Sequence, residues 1–484
     1  LTGGTGFIGK VLIEKLLRDC PGVKAIYLIA RAKGNKSPKE RWATITDGVL
    51  FDLLKEENPR ALDKVVIING DICKKDLGLS YEDKKILEDN VNIIFHAAAS
   101  VRFDDSLQDA LLLNTYGTYE IVQLAKRIKL LQGLVYVSTT FSNSHIDTVI
   151  EEKIYNNDFR YEDLLELRLN STDRIHLDCL QYKIIEKHPN TYTFTKNLAE
   201  QIINDVRKEL PVIITRPSVV SNTLQGHVPG WVDNFNGVHT VSIGVLKGFA
   251  RTLYLDENLS LDYSPVDFVT NAIIAATWHT IVNNKCKTEE LPIYNIAFGN
   301  IVTVKFIDLI KYGFKAHEKR PFSDLIWYPI LLMTSSITLY KFYFWLLQIF
   351  PAIIFDTILW ANGRRTMALK LTRKLFYNNL YILRRFLFDK FQFDNKNFKE
   401  LRSAVPDSEK EKFYLVLKSV DIQQLCEICL VGSKKYLFKE DMSSIEKDKT
   451  RLKWLYLIHQ IFRFLMYSFM IYLLWTLLQQ FVSL

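Results

Sequence analysis

A chain of 484 residues, 48% apolar, has room for two domains and enough side chains to fill their cores. Its net charge of +8 comes from 62 basic residues scattered among 54 acidic ones, which argues against the concentrated basic stripe of a nucleic-acid-binding protein. Six cysteines are too few for a disulfide framework, and the lone Cys426/Cys429 pair has no second pair to complete a zinc site, so a reducing compartment and no metal are expected.

The chain opens on Leu1-Thr2-Gly3-Gly4-Thr5-Gly6-Phe7-Ile8-Gly9-Lys10, followed by the amphipathic run Val11–Arg18. Glycines at 3, 6 and 9 suit a dinucleotide site, because a chain without Cβ atoms can turn tightly, approach a pyrophosphate and pack its helix on a sheet. Gly3, Thr5, Gly6, Phe7, Ile8 and Gly9 are the expected contacts, with the helix N-terminus supplying unpaired N–H groups. The sequence begins inside this motif, without an initiator Met or a preceding apolar strand, so a supporting strand and any targeting segment are expected upstream. Glycine-rich turns before helices are common, and this one gains meaning only from the residues downstream of it.

Residues 1–140 alternate short β-branched runs with helical segments, which predicts an α/β domain with a Rossmann-type, doubly wound parallel sheet. After the strand Ala25–Ala30, Arg31 stands where an NAD site wants an acid for the ribose 2′-hydroxyl. With Lys33 beside it, the position suits a 2′-phosphate and hence NADPH. The strand Lys64–Asn69 ends in Gly70-Asp71-Ile72, where Asp71 could accept from the adenine amino group. Asn92–Phe95 runs into His96-Ala97-Ala98-Ala99-Ser100, and the small Ala97 and Ala98 let the chain pass close to a cofactor. His96 has a catalytic and a structural reading, the hydrogen-bonded structural histidine being the better account. Asn114-Thr115 is expected to open a helix to Lys126, bringing Asn114 near the strand ends.

The strand Leu134–Val137 terminates in Ser138-Thr139-Thr140, and ligands of open α/β sheets sit beyond such carboxyl ends. A charged insertion, about residues 145–188, precedes Thr191-Tyr192-Thr193-Phe194-Thr195-Lys196. Tyr192 and Lys196 are four apart, on one face of a helix. Carbonyl reduction needs a proton for the nascent alkoxide. An ammonium beside a phenol is expected to lower its pKa toward a useful range, while a Ser or Thr hydroxyl donates to the carbonyl oxygen. The same spacing recurs at Tyr81/Lys85 and Tyr414/Lys418, but only Tyr192 follows a dinucleotide loop and a hydroxyl-bearing strand end and leads to another strand, Pro211–Arg216.

Together these features resemble the extended short-chain dehydrogenase/reductase superfamily. Arg216-Pro217-Ser218-Val219-Val220, Pro229-Gly230-Trp231-Val232-Asp233-Asn234, Tyr263-Ser264-Pro265-Val266-Asp267, Phe393-Asp394-Asn395 and Gly432–Glu440 are similar, in order, to signatures of fatty acyl-CoA reductases, with an insect-like divergence. The resemblance spans nearly the whole chain. It implies reduction of a long-chain acyl-CoA by two NADPH, through a thiohemiacetal and an aldehyde, to a primary alcohol and CoA. It implies Tyr192 as general acid, Lys196 as its partner and Thr139 polarising the thioester carbonyl, with Ser138 the alternative. Pro217, Ser218 and Val219 join the cofactor contacts. Thr140-Phe141, Gly226-His227-Val228 and Gly363-Arg364-Arg365 depart from the family pattern and bear on substrate choice rather than on the reaction.

Two apolar concentrations lie further along the chain. Leu325–Tyr340 and Phe342–Phe355 are uncharged, separated by Lys341, and neither half reaches a comfortable membrane span. A membrane-inserted hairpin, a membrane-facing surface for acyl chains and plain core are the open readings. Phe464–Leu484 carries no formal charge and comes after Lys447, Lys449, Arg451, Lys453 and Arg463, which predicts a C-terminal transmembrane helix with a cytosolic catalytic face, at endoplasmic reticulum or peroxisome. The expected organisation is a dinucleotide domain with interleaved substrate-binding segments at 1–300, an apolar connection at 301–360, a mostly helical C-terminal domain at 361–445 and an anchor at 454–484. Expected partners are acyl-CoA and membrane lipid, with no nucleic acid, and a homo-oligomer is compatible. Competing functions are reduction of a sterol or other lipid carbonyl, or a non-catalytic NADP-binding membrane protein.

Overall fold

The computed structural model describes residues 1–170, 174–235, 238–285, 290–297, 304–416 and 421–482. The chain divides into two compact units, each assembled from non-contiguous segments. One comprises Leu1–Asp233, Leu259–Lys305 and Tyr381–Val420; the other comprises Asn234–Asn258, Phe306–Leu380 and Asp421–Leu484. Residues 361–445, expected as one helical domain, are shared between them.

The first unit is built on a parallel sheet. Strands β1 (Ile26–Ala30), β2 (Val65–Asn69), β3 (Ile93–His96), β4 (Gly133–Val137), β5 (Val212–Pro217) and β6 (Ile293–Ile296) pair as β1 with β2 and as β6-β5-β4-β3. Thr2 bridges Ile29 and His96, both in parallel, so the ladder runs β2-β1-Thr2-β3-β4-β5-β6. Every residue of β4 and β5 is buried, as near-continuous β-branched runs require in a sheet covered on both faces. Helix α1 (Phe7–Asp19) packs with α4 (Val266–Val282), whereas α2 (residues 107–125) packs with α3 (Thr191–Asp205). Leu134, Tyr136 and Ile214 share a core with Ile121 and Val122 of α2 and with Ile202 and Ile203 of α3.

Helix α2 departs from expectation. It starts at Leu107, capped by the Ser106 hydroxyl on Asp109 N, and passes through a π turn at Leu111–Tyr116, so Asn114 lies inside the helix rather than at its opening. At the other edge of the sheet, β6 is covered by residues that come much later in the chain. Asn397 Nδ2 donates to Ile293 O (2.9 Å), and Glu152 accepts from Asn295 N (2.9 Å) and Asn397 N (2.5 Å). These groups satisfy an edge that would otherwise invite a foreign strand.

The second unit is mostly helical. Phe322, Leu325, Ala316, Ile243, Leu246 and Leu430 form its core, and a parallel strand pair joins Thr252–Tyr254 to Leu332–Thr334. Lys434, in the late glycine-serine-lysine motif, is fully buried. Its ammonium meets Glu440 (2.6 Å) and Pro321 O, and Ser323 N and Oγ also donate to Glu440. Lys341 does not interrupt the first apolar region. Ile337–Ala361 is one continuous helix, α5, with a π turn at Trp345–Ile349. The plain-core reading does not hold there, since Phe342, Trp345, Phe355 and Trp360 are all more than half exposed. A short helix, α6 (Ala368–Tyr377), comes next.

The last helix, α7, runs Ile445–Val482 and begins before the expected anchor. Its first half is fastened within the unit: Arg451 donates to Ser323 O and Leu325 O, Trp327 Nε1 donates to His459 Nδ1, and Phe462 meets Trp327 edge-on. Side chains from Phe464 to Trp475 are largely exposed and apolar. Ser483 and Leu484 of the expected span lie outside the described residues. Among the described residues, α5 and α7 are the two helices long and apolar enough to cross a membrane.

Candidate active site

The glycine loop folds as a cradle at the head of α1. Gly3 has φ +73°, and a Cβ there would lie 2.5 Å from the Ala97 carbonyl carbon; on Gly9 it would lie 2.3 Å from Gly3 O. Both glycines are demanded by the protein's own packing, Gly3 against the Ala97 backbone and Gly9 against Gly3 itself. Gly6 differs: a Cβ there meets only Gly3 O at 3.1 Å, and the residue is exposed. No side chain caps α1 at Gly6 and no acid stands in its first turn, so its amides remain available to an anion. The loop therefore fits a dinucleotide pyrophosphate. Phe7 stacks on Trp231 (5.5 Å) and Lys10 pairs with Asp233, so the Pro229–Asp233 signature closes over this first turn.

Arg31 follows β1, exposed, with its guanidinium 3.5 Å from Asp71. The sequence reading missed Arg41, from the helix Pro38–Thr46, which donates to Arg31 O (2.6 Å) and to Thr5 Oγ1 (3.0 Å). Its signal is faint: a Ser37-Pro38-Lys39-Glu40 capping box that aims the helix back at the loop. Lys33 instead sits in an exposed turn, its backbone paired with Lys36. Asp71 also accepts from Cys73 N (3.1 Å), while Ile72 is core, wedged against Gly117.

His96 is fully buried between the hydroxyls of Thr2 (2.7 Å) and Thr118 (3.1 Å), and burial together with nearby Lys196 holds its pKa down at about 3. It is a neutral structural residue. Asn114 accepts from Ser100 N (2.8 Å) and donates to Ser100 O (3.2 Å) and Thr195 Oγ1 (3.0 Å), strapping the β3 exit to α3 between Tyr192 and Lys196. Ala98 N reaches Thr2 Oγ1 (3.4 Å). Beyond β5, Ser218 hydrogen-bonds Ser264 (2.7 Å) and Val219 pairs with Tyr263, so two family signatures form one strand pair continuing from Pro217.

The two hydroxyls at the end of β4 have different fates. Ser138 donates to Glu200 Oε1 (2.5 Å), which also receives Ser142 (2.9 Å) and Arg216 Nε (2.9 Å). The Glu200–Arg216 pair is completely buried, with a second bond of 2.6 Å. Thr139 instead accepts only a weak bond from Phe141 N (3.3 Å), and its hydroxyl lies close enough to the Tyr192 phenol to favour the ionised form. Lys196, buried one turn below, donates to Val137 O (2.7 Å) and lies over the Tyr136 ring (4.5 Å). Of the other two spacing matches, Tyr81 is exposed, Tyr414 bonds Asp267 (2.5 Å), and Lys418 lies outside the described residues.

The electrostatics reverse one expectation. Burial pushes Tyr192 up to about 12, with the neighbouring Thr139 hydroxyl acting the other way, and burial pulls Lys196 down to about 7 against the opposing pull of Glu200. Desolvation dominates both groups, so the phenol is raised rather than acidified as the spacing suggested. Beside Tyr192 stands an aromatic wall that sequence reading missed. Phe103 lies 5.6 Å from the Tyr192 ring and stacks on Phe386 (5.5 Å), and Phe141 meets Phe386, Phe391 and Phe393 edge-on. Its members come from three distant segments with no shared period. Among the described residues, no acid–His–Cys cluster could hold a metal.

Comparison with known proteins agrees with this geometry. Residues 1–273 match the NAD-binding family model described as male sterility protein, and residues 347–440 match a second model of that description. Fatty acyl-CoA reductase wat of Drosophila melanogaster is 34% identical over 482 residues, covering 100% of this chain and 92% of its own. Fatty acyl-CoA reductase 1 of Xenopus laevis is 33% identical over 452 residues (93% and 87%), and that of Homo sapiens 32% over 455 residues (93% and 87%). Among solved structures, the terminal R domain of the myxalamid PKS-NRPS pathway superposes with TM-score 0.58 at 20% identity over 91% of each chain. The reductase domain of a Mycobacterium tuberculosis nonribosomal peptide synthetase gives 0.57 at 18% over 90% of each. These two show a shared Rossmann-like reductase fold. Over its whole length, the chain belongs to the fatty acyl-CoA reductase family.

Proposed function

We propose that this protein is a membrane-anchored, NADPH-dependent reductase that converts long-chain fatty acyl-CoA to a primary alcohol and CoA, with Thr139, Tyr192 and Lys196 at the reacting carbonyl. The observation that carries this reading is the buried Tyr192 phenol placed beside the Thr139 hydroxyl at the end of β4, between the glycine cradle's sheet and an aromatic wall. Arg41, bonded to Thr5 and to the Arg31 carbonyl, and the exposed Arg31 guanidinium just beyond β1 support a 2′-phosphate and hence NADPH over NADH. Gly3, Gly6 and Gly9 would hold the pyrophosphate and Lys196 the nicotinamide ribose; when bound, NADPH supplies the hydride for each of the two reductions.

The chain's own groups handle oxygen and proton. Thr139 and Tyr192 donate to the carbonyl oxygen, and their stabilisation grows as negative charge develops there. Tyr192 delivers the proton. A phenol near 12 still gives it up readily to an alkoxide, whose basicity is close to that of hydroxide from water of pKa about 15.7. Lys196, near 7, exchanges protons at neutral pH and can reprotonate the phenolate. Half-buried Phe103 and Phe386, backed by the buried Phe141, offer apolar surface to the acyl chain, at about 0.8 kcal/mol per buried CH₂. The exposed part of α7 serves as the anchor, with Arg463 and the preceding cations on the cytosolic side of the endoplasmic reticulum or peroxisome.

Microsomes containing the protein, supplied with NADPH and a panel of acyl-CoAs, should yield fatty alcohol that Tyr192→Phe abolishes. Folded wild-type protein that makes no alcohol at any chain length would overturn the reading. NADH supporting the same rate at the same concentration would overturn the choice of cofactor.

A further inference from the structure

Helix α5 is held along a single stripe. Tyr340, Phe344, Gln348 and Ala352, four residues apart, are all buried, and Asp356 continues the row. Tyr340 stacks on Phe376 (5.7 Å) and packs beside Tyr254 (5.6 Å). Gln348 Oε1 accepts from Arg251 N (2.8 Å), and Arg251 returns a bond to Leu347 O (3.0 Å). Asp356 accepts from the amides of Met367, Ala368 and Leu369 (3.1, 3.0 and 2.9 Å), so it caps α6 and folds α5 and α6 into a hairpin through Gly363. Fastened at Tyr340, Gln348 and Asp356, the helix lies along its own unit for its whole length.

The remaining faces are apolar and uncovered. Phe342, Trp345, Ile354, Phe355, Ile358 and Trp360 are each between 46% and 74% exposed. Such a run is far more apolar than solvent-facing surface tolerates. Charge is distributed with equal bias: residues 337–377 contain Lys341, Arg364, Arg365, Lys370, Arg373 and Lys374 against the single acid Asp356, which is already engaged by three amides. Two shallow cavities mark where the two characters meet. One, about 320 Å³, is lined by Lys341 and Arg373 with Phe344, Trp345, Ile349 and Phe376; the other, about 310 Å³, places Lys370 and the same Arg373 beside Asp356, Thr366 and Leu369.

At 25 residues, α5 is long enough to cross a bilayer, but its polar fastenings are spread from one end to the other and would be carried into hydrocarbon if it did. We infer that the α5–α6 hairpin is a monotopic membrane surface: α5 lies flat in one leaflet, and Lys341, Lys370 and Arg373 receive the phosphates of anionic phospholipids. An amphipathic helix with a cationic rim sits in this way at the boundary of headgroups and acyl chains. The placement is independent of α7 and of the reaction.

Nitroxide labels at positions 342, 354 and 360 of the full-length protein, in nanodiscs holding one copy each, test it. A fourth label at position 474 in α7 reports whether the chain is in the bilayer at all. Oxygen and nickel-complex accessibility should give one shallow depth at 342, 354 and 360 in discs containing phosphatidylserine. Lys370→Glu with Arg373→Glu should move all three outward, to the depth found in pure phosphatidylcholine. The inference is overturned if the three labels are aqueous while 474 is buried, or if depth passes through the bilayer centre between 342 and 360. Spin–spin broadening between copies in liposomes, without lipid contact of the labels, overturns it in favour of a dimer face.

Discussion

Ser138 and Thr139 are adjacent hydroxyls at the end of β4, yet removing each should have opposite consequences. Ser138 Oγ gives its proton to a carboxylate that is completely buried with Arg216. Ser138→Ala removes one charge-assisted hydrogen bond, worth about 1.5–3 kcal/mol, while Ser142 and Arg216 still satisfy the same oxygen. The cost falls on stability: a melting temperature lower by several degrees, with kcat near wild type. Thr139→Val keeps the side-chain shape and removes a donor aimed at the reacting oxygen. Loss of one such donor costs about 10²- to 10³-fold in kcat, and KM should hardly move because the bond strengthens only as charge develops. Thermal melts paired with steady-state NADPH oxidation at saturating acyl-CoA separate the two. If Ser138→Ala lost as much kcat as Thr139→Val with an unchanged melting temperature, the assignment of the two hydroxyls would be wrong.

Arg41→Ala should raise KM for NADPH by roughly 10- to 100-fold, the value of a charged hydrogen bond to phosphate, and leave KM for NADH nearly unchanged; equal effects on both would contradict a 2′-phosphate role. Gly6→Ala should fold normally and lose dinucleotide affinity in calorimetry, whereas Gly9→Ala, whose Cβ would sit 2.3 Å from Gly3 O, should lower the melting temperature of the apo-protein as well. Lys196, held at about 7 against an ordinary 10.5, makes the apo-fold pH-dependent. Between those values the unfolded chain binds the proton and the folded chain does not, so stability should rise with pH above about 7. Urea titrations of wild type and Lys196→Met should diverge in favour of wild type over that range, and parallel curves would refute the shift.

Much of the first unit is readable from its residues. The β-branched runs at 26–30 and 212–217 form strands because a doubly covered sheet buries them, while 65–69 forms the partly exposed edge strand beside the first. Chain order singles out Tyr192 from three identical spacings, and the structure gives the other two tyrosines different surroundings. What escapes a linear reading is whatever depends on long-range assembly. Arg41 arrives through the direction of a helix, and the aromatic wall is gathered from residues 103, 141 and 386–393 without any period. Spacing alone suggests an acidified Tyr192 beside a charged Lys196, but burial, which a sequence does not display, shifts both in the opposite direction. Continuity of α5 through Lys341 is hidden likewise, since a lysine at the edge of a buried stripe need not end a helix.

The cover on β6 has a consequence for how the protein is made. Strand β6 ends at Ile296, while Asp394 and Asn397, which bond its Asn295 and Ile293, are translated about a hundred residues later. At roughly 5–20 residues per second, the nascent sheet waits several seconds, and up to about 20, with that edge bare. During this interval the second unit's long middle segment, including α5, emerges from the ribosome. Nascent chains stalled before residue 394 should therefore be bound by chaperones and cleaved by protease near β6, and chains stalled past residue 404 with tunnel length allowed should be resistant.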